Sequence, residues 1–132
     1  MSETKSVIVE RELPVPPEKL WRALTQPHLI ADWLMQNDFA ATAGHRFRFT
    51  ADWGSVDCQV LTVEENRMLS YSWVAMGLDS VVTFTLSPTR TGTHLKLEQT
   101  GFKPGMAQAY GGARIGWNNF LDRLSQLVEK QA

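Results

Sequence analysis

From residue 46 onward the chain alternates between apolar and polar residues with a period of two, the pattern of half-buried β-strands. Turn-forming residues divide this region into five runs. The predicted strands lie at residues 46–49, 56–63, 68–74, 79–86 and 93–99. Strands with one apolar and one polar face are typical of an antiparallel meander that covers a core on one side.

The first 33 residues add one strand and two short helices. Residues 7–13 alternate as a strand, apart from Arg11, and the prolines that follow end it. Pro17 suits the first turn of a helix that carries Leu20, Trp21 and Leu24. A second short helix is predicted around Leu29, Ile30 and Trp33, which share one helical face.

The last part of the chain predicts a long amphipathic helix. Its apolar residues recur at intervals of three and four: Trp117, Phe120, Leu121, Leu124, Leu127 and Val128. Residues 101–112, with four glycines and Pro104, are predicted to form a loop before it. The whole order predicts an α+β fold, in which the terminal helix covers the apolar face of a curved sheet.

Length and composition limit the class of protein. A chain of 132 residues is the size of one domain, so we expect a single domain at 1–132 with a flexible tail at 1–5. The net charge of -1, without a basic cluster, argues against nucleic acid as a partner. The longest uncharged apolar stretch is shorter than the roughly 18 residues that a transmembrane helix needs. The single Cys58 and the polar start predict a cytoplasmic protein.

The residues show no recognisable catalytic or cofactor motif. His28, His45 and His94 are far apart and form no metal-ligand pair, so we expect neither a metal nor a cofactor. Cys58 falls on the apolar face of a strand, where a core role is favoured over a nucleophile. The polar residues that can point inward are Arg11, Tyr71, Gln99, Tyr110 and Asn118. A buried tyrosine hydroxyl usually makes a structural hydrogen bond, so these residues alone do not establish an enzyme.

Three motifs carry a resemblance that covers residues 7–128. They are the run PPEKLWRALT at 16–25 with Pro27, Leu29 and Trp33; Gly92, Thr93, Leu95, Leu97, Gly101 and Phe102; and Gly116, Trp117, Leu121 and Leu124. In order and spacing they resemble the family named after the heat-shock-protein-90 ATPase activator, in the START-like, birch-pollen-allergen-like superfamily. The resemblance implies a helix-grip fold: a six-stranded antiparallel sheet wrapped on a long C-terminal helix, with two short helices between the first and second strands.

The aromatic residues locate a candidate site. Five Trp, six Phe and two Tyr are many for a chain of this size, and they predict an aromatic core or an aromatic-lined cavity. We expect a cavity between the sheet and the last helix, lined by Trp33, Phe49, Trp73, Phe84, Gln99, Trp117 and Phe120, with Phe39, Trp53, Phe102 and Tyr110 at its mouth. Trp21 is expected to be plain core.

The function expected from these features is binding of a small hydrophobic or aromatic molecule, without a catalytic residue. An enzyme of polyketide cyclase, aromatase or hydrolase type stays open, because related members of the superfamily use polar groups in such a cavity. A protein-interaction module is the third alternative, either a homodimer or a partner of a chaperone in a stress response. The chaperone is the weakest of these, because nothing resembles the separate N-terminal domain of the eukaryotic co-chaperone.

Overall fold

The computed structural model describes residues 5–130 and consists of one sheet and three helices. The seven strands are all antiparallel and follow the order β1-β7-β6-β5-β4-β3-β2. The strands are β1 Lys5–Leu13, β2 Gln36–Asn37, β3 Arg46–Ala51, β4 Gly54–Glu64, β5 Met68–Ala75, β6 Leu78–Pro88 and β7 Thr93–Phe102. The helices are α1 Pro17–Thr25, α2 Pro27–Trp33 and α3 Ala107–Lys130.

The alternation of apolar and polar residues places one face of the sheet in the core. On β7, Leu95, Leu97 and Gln99 are buried, while the residues between them are only half-buried. Leu97 pairs with Phe84 of β6, so large inward side chains stand opposite each other across the strands. The hydrophobic face predicted for the strands is therefore confirmed on the central strands.

The two short helices follow β1 and close one end of the core. Pro17 and Pro27 each begin a helix, where the missing amide hydrogen has no intrahelical acceptor. The indole nitrogen of Trp33 donates to the carbonyl of Ala23 over 2.8 Å, and this buried bond joins α2 to α1. Trp21 is also buried, as expected for a core residue.

Helix α3 packs along the sheet through one face. Its buried residues are Trp117, Leu121, Leu124 and Val128. The guanidinium of Arg11 on β1 donates to Oδ1 of Asn118 over 3.0 Å and to Oδ1 of Asp122 over 3.1 Å. Arg11, which interrupts the apolar pattern of β1, thus links this edge strand to α3.

The helix-grip α+β fold is confirmed, but the sheet has seven strands rather than six. The additional strand, β2, pairs only Gln36 with Thr50 and Asn37 with Phe49. The Asn37 side chain donates to the carbonyl of Pro27 and accepts from the amide of Phe39, which positions this short strand. Two residues are too few to show a periodicity in sequence.

Helix α3 also begins earlier than the sequence predicts. Residues 101–112 were expected to form a loop, but the loop covers only 103–106 and the helix includes Gly111 and Gly112. Each glycine disfavours a helix by about 1 kcal/mol, and packing of Tyr110 and Ala113 against the core offsets this penalty. Of the predicted tail at 1–5, residues 1–4 lie outside the described residues and Lys5 already belongs to β1.

Candidate functional site

A network of nine aromatic rings occupies the space between the sheet and α3. The rings of Trp73 and Trp117 have their centroids 5.2 Å apart, and those of Phe84 and Trp117 are 6.0 Å apart. Most of these pairs are tilted or edge-to-face, the favourable arrangement for aromatic rings. The members are Trp33, Phe39, Phe47, Phe49, Tyr71, Trp73, Phe84, Trp117 and Phe120. We call this set the aromatic network.

Seven of the eleven predicted site residues belong to this network. Trp33, Phe49 and Phe84 are almost completely buried in it. Trp73 and Phe120 are half-buried, so the network reaches the surface on the side of α3. Phe39 was expected at the mouth, but its ring is buried against those of Phe47 and Tyr71.

Gln99 joins two elements through a buried chain of hydrogen bonds. Its Oε1 accepts from the indole nitrogen of Trp117 over 2.7 Å, and its Nε2 donates to Oγ of Ser80 over 2.9 Å. The Ser80 hydroxyl donates in turn to the carbonyl of Trp73 over 2.8 Å. This polar chain fixes the rotamer of Gln99 and the plane of the Trp117 indole.

Phe102 and Tyr110 form a separate pair at the start of α3. Their ring centroids are 5.6 Å apart with nearly perpendicular planes. The two rings line a cavity of about 130 Å³ together with residues 103–107. Two predicted rim residues therefore share one cavity at the start of α3.

Trp53 is the predicted site residue that the structure places apart from the others. It lies in the turn between β3 and β4 and is 54% exposed. Met76, in the turn between β5 and β6, is 84% exposed. The register of β4 with β5 brings these two turns to the same end of the sheet.

Two members of the aromatic network, Phe47 and Tyr71, were not among the predicted site residues. Phe47 is two residues before Phe49 on β3, and Tyr71 is two residues before Trp73 on β5. Residues i and i+2 of a strand face the same side, so strand parity could have identified both. Their ring centroids are 5.2 Å apart.

Burial keeps the titratable groups of this region neutral. Desolvation, followed by the charges of Asp57 and Asp38, raises the pKa of the Cys58 thiol to about 12. Desolvation also raises the pKa of Tyr71 well above its ordinary range, with a smaller contribution from Cys58. Neither side chain carries a charge at neutral pH, so the inner face of the sheet is a neutral, apolar surface.

A wider depression of about 740 Å³ lies at the edge formed by β2, β3 and β4. Its polar wall includes Arg48, whose Nε donates to Oδ1 of Asp57 over 2.8 Å. Its inner wall includes Phe47 and Cys58. The depression therefore connects a charged outer rim with side chains of the inner face of the sheet.

The described residues provide neither a metal site nor a membrane-spanning helix. Within residues 5–130, no three His, Cys, Asp or Glu side chains are arranged to hold a metal ion. None of the described helices has the length and hydropathy of a membrane span. What the site offers is a surface of aromatic rings with a few hydrogen-bonding groups.

One family model matches most of the chain, and several solved structures are similar to it. The model of the family described as Activator of Hsp90 ATPase homolog 1-like protein matches residues 14–129. Protein MLL2253 from Mesorhizobium loti is 56% identical, with a TM-score of 0.94 over 97% of this chain and 99% of its own. Protein BH1534 from Bacillus halodurans is 30% identical, with a TM-score of 0.85 over 94% and 96% of the two chains.

A third similar structure is that of DynU16, described as a putative protein in the dynemicin biosynthetic locus. It is 26% identical with a TM-score of 0.85, and the match covers 94% of this chain but only 47% of DynU16. Among curated proteins, none matches the chain significantly.

Proposed function

The chain belongs to the Activator of Hsp90 ATPase homolog 1-like family, and we propose that it binds a small, uncharged, largely apolar molecule between the sheet and α3. The observation that carries this proposal is the continuity of the aromatic network from core to surface. Phe84 is fully buried, its ring contacts Trp117, and Trp117 contacts the half-buried rings of Trp73 and Phe120. A ligand that contacts Trp73 and Phe120 is therefore connected through the ring of Trp117 to the buried core.

A separate cavity at the start of α3 has the size of a single aromatic ring. An engineered apolar cavity of about 150 Å³ accommodates benzene. The cavity beside Phe102 and Tyr110 is of similar size, about 130 Å³, and Met106 also lines it. A single aromatic ring or a branched alkyl group matches this volume.

The charge state of the interior supports an uncharged ligand. Transfer of an isolated charge into an apolar interior is costly unless a partner of opposite charge is present. The interior groups Gln99, Ser80 and Tyr71 are neutral, and the Cys58 thiol is kept protonated by its raised pKa. A carboxylate or ammonium ligand would lack a counter-charge in the aromatic network.

The enzyme alternative has weaker support than binding. General acid–base catalysis is most effective when a group titrates near the working pH. Burial moves the pKa values of Cys58 and Tyr71 away from neutrality, which leaves these two groups protonated. DynU16, from a biosynthetic locus, is the similarity that keeps a cyclase-like role open as the alternative.

The same proposal treats the chain as one cytoplasmic domain. The sheet and all three helices contribute side chains to one hydrophobic cluster. Examples are Val9 on β1, Leu24 on α1 and Leu124 on α3. Cys58 is a free, buried thiol, and this suits a reducing compartment.

The test uses native mass spectrometry together with NMR. Native mass spectrometry of freshly purified protein detects a retained small molecule and the number of subunits. The chain has five tryptophans, so ¹⁵N spectra contain five indole signals, which single Trp→Phe variants assign. On titration with p-xylene, the signals of Trp73 and Trp117 should shift, and that of exposed Trp53 should stay in place.

Trp117→Ala provides the matched variant, because it removes the ring that joins Phe84 to Trp73 and Phe120. It should weaken the response of the Trp73 signal, whereas Trp53→Ala should not. The proposal fails if no retained molecule is found and neither p-xylene nor p-cresol moves the Trp73 or Trp117 signal.

A further inference from the structure

The hydroxyl of Tyr71 differs from the polar groups that form the buried chain of Gln99, Ser80 and Trp117. Tyr71 is only 3% exposed, and its ring centroid lies between 5.2 and 6.2 Å from those of four phenylalanines. These are Phe39, Phe47, Phe49 and Phe84. Among the described residues, the Tyr71 hydroxyl makes no hydrogen bond, whereas Gln99, Ser80 and the Trp117 indole are all paired.

The hydroxyl oxygen is nevertheless not completely inaccessible. In the described part of the chain, every side-chain nitrogen or oxygen that is fully inaccessible has a hydrogen-bond partner. Because the Tyr71 oxygen has no such partner, it retains some accessible surface. A mostly buried tyrosine hydroxyl without a protein partner is unfavourable, and a phenylalanine would pack equally well here.

We propose that the Tyr71 hydroxyl is the polar anchor of the site, and that the ligand is an uncharged aromatic molecule with a hydroxyl or carbonyl oxygen that meets it. This inference rests on the proposed function and adds the chemical class of the ligand. The neutral phenol donates one hydrogen bond and accepts another, so both oxygen types suit it. The surrounding phenylalanine rings provide the apolar surface for the rest of the molecule.

Two probes of the same shape separate the anchor from the apolar surface. p-Cresol and p-xylene differ only by a hydroxyl in place of a methyl group. If Tyr71 anchors the ligand, the wild-type protein should bind p-cresol about five- to tenfold more tightly than p-xylene, as expected for one neutral hydrogen bond. Tyr71→Phe should remove this preference and leave the affinity for p-xylene unchanged.

Because the chain has two tyrosines, NMR can observe the contact between Tyr71 and the ligand directly. Labelling of tyrosine with ¹³C at Cζ gives two signals, and Tyr110→Phe identifies which belongs to Tyr71. p-Cresol should move the Tyr71 signal more than p-xylene does. Tyr110→Phe also serves as the control, because Tyr110 lines the separate cavity at the start of α3, and this variant should keep the preference for p-cresol.

The outcomes distinguish the two proposals. If p-xylene shifts the Trp73 and Trp117 indole signals but the preference for p-cresol is absent, or survives in Tyr71→Phe, the anchor is wrong and the apolar site stands. If the preference disappears in Tyr110→Phe instead, the polar anchor lies at the start of α3 and this inference is overturned. If neither probe moves any of these signals, the proposed function fails and the anchor fails with it.

Discussion

The indole nitrogen of Trp117 on α3 donates to Oε1 of Gln99 on β7 over 2.7 Å, and both side chains are buried. This hydrogen bond joins the helix to the sheet in the middle of the aromatic network. Gln99 is satisfied from the other side by Ser80. The position of the Trp117 ring, and with it the shape of the candidate site, therefore depends on a polar residue of the sheet.

Gln99→Leu should lower the free energy of unfolding by about 2 kcal/mol, because it leaves the Trp117 indole N–H buried without an acceptor. Urea unfolding followed by circular dichroism measures this change. Gln126→Leu is the control, since Gln126 is exposed on α3, and it should change stability by less than about 0.5 kcal/mol.

The double variant Gln99→Leu, Trp117→Phe tests the cause. Removal of the indole N–H also removes the unpaired donor, so the double variant should lose less than the sum of the two single variants. Strict additivity would show that the cost of Gln99→Leu comes from packing and not from the hydrogen bond.

Two glycines should respond to alanine in opposite directions. At Gly92, an added Cβ would overlap the carbonyl oxygen of Leu13 and lie 2.9 Å from Cα of Pro14. Gly92→Ala should therefore destabilise the fold by about 3 kcal/mol. Gly112 lies in α3 with open space around its Cα, and Gly112→Ala should stabilise by about 0.5–1 kcal/mol. Thermal unfolding of the two variants compares them, and equal signs would contradict this assignment.

The contrast between these glycines shows where sequence reasoning succeeds and where it stops. Gly92 belongs to a motif that resembles the family, but only the structure shows that its role is the close approach of the turn to the end of β1. Gly111 and Gly112 were interpreted as loop residues, because local propensity disfavours them in a helix. Packing of Tyr110 and Ala113 against the core overrides that propensity and cannot be read from the local sequence.

For the candidate site, the alternation along the strands predicted which side chains point inward. It did not predict the hydrogen-bond partners of the polar ones. The alternation on β5 to β7 correctly placed Tyr71, Phe84 and Gln99 on the inner face. Whether each polar group there would find a hydrogen bond depends on which residues lie opposite across strands and helix. Gln99 and Tyr71 are both polar residues at inward positions of their strands. Gln99 makes hydrogen bonds to Ser80 and Trp117, whereas the Tyr71 hydroxyl has no partner among the described residues.

Cys58 should resist alkylation in the folded protein. Because burial raises its pKa to about 12, about one thiol in ten thousand is ionised at pH 8, and the thiolate is the reactive form. Iodoacetamide labelling followed by mass spectrometry should be at least about a hundredfold slower in buffer than in concentrated urea. Equal rates in the two conditions would mean that the thiol is not buried as described.

His94 should make the stability depend on pH. Hydrogen bonds to Glu12 and then Glu10 raise the pKa of His94 above its ordinary value of 6.5. The Nδ1 atom lies 2.6 Å from Oε1 of Glu12, and Nε2 lies 2.8 Å from Oε1 of Glu10. The protonated imidazole therefore stabilises the fold fully below pH 6.5, and this contribution disappears as the pH rises through the folded-state pKa.

Urea unfolding of wild type and His94→Gln over a pH series checks the sign. The stability difference between the two proteins should be largest at acidic pH and should shrink toward alkaline pH. A difference that grows with pH would mean that the two carboxylates do not favour the protonated form of the ring.

Tyr71→Phe should leave the free energy of unfolding unchanged or raise it by up to about 1 kcal/mol, although the residue is buried. The hydroxyl has no hydrogen-bond partner among the described residues, so its removal breaks no bond within the protein and removes a polar group from a mostly buried position. Tyr71→Leu is the control: it removes the ring from contact with Phe47 and Phe84 and should cost about 2 kcal/mol or more. Urea unfolding of both variants without added ligand gives the comparison. A loss of more than about 1 kcal/mol in Tyr71→Phe would show that the hydroxyl is bonded within the protein and is not kept for a ligand.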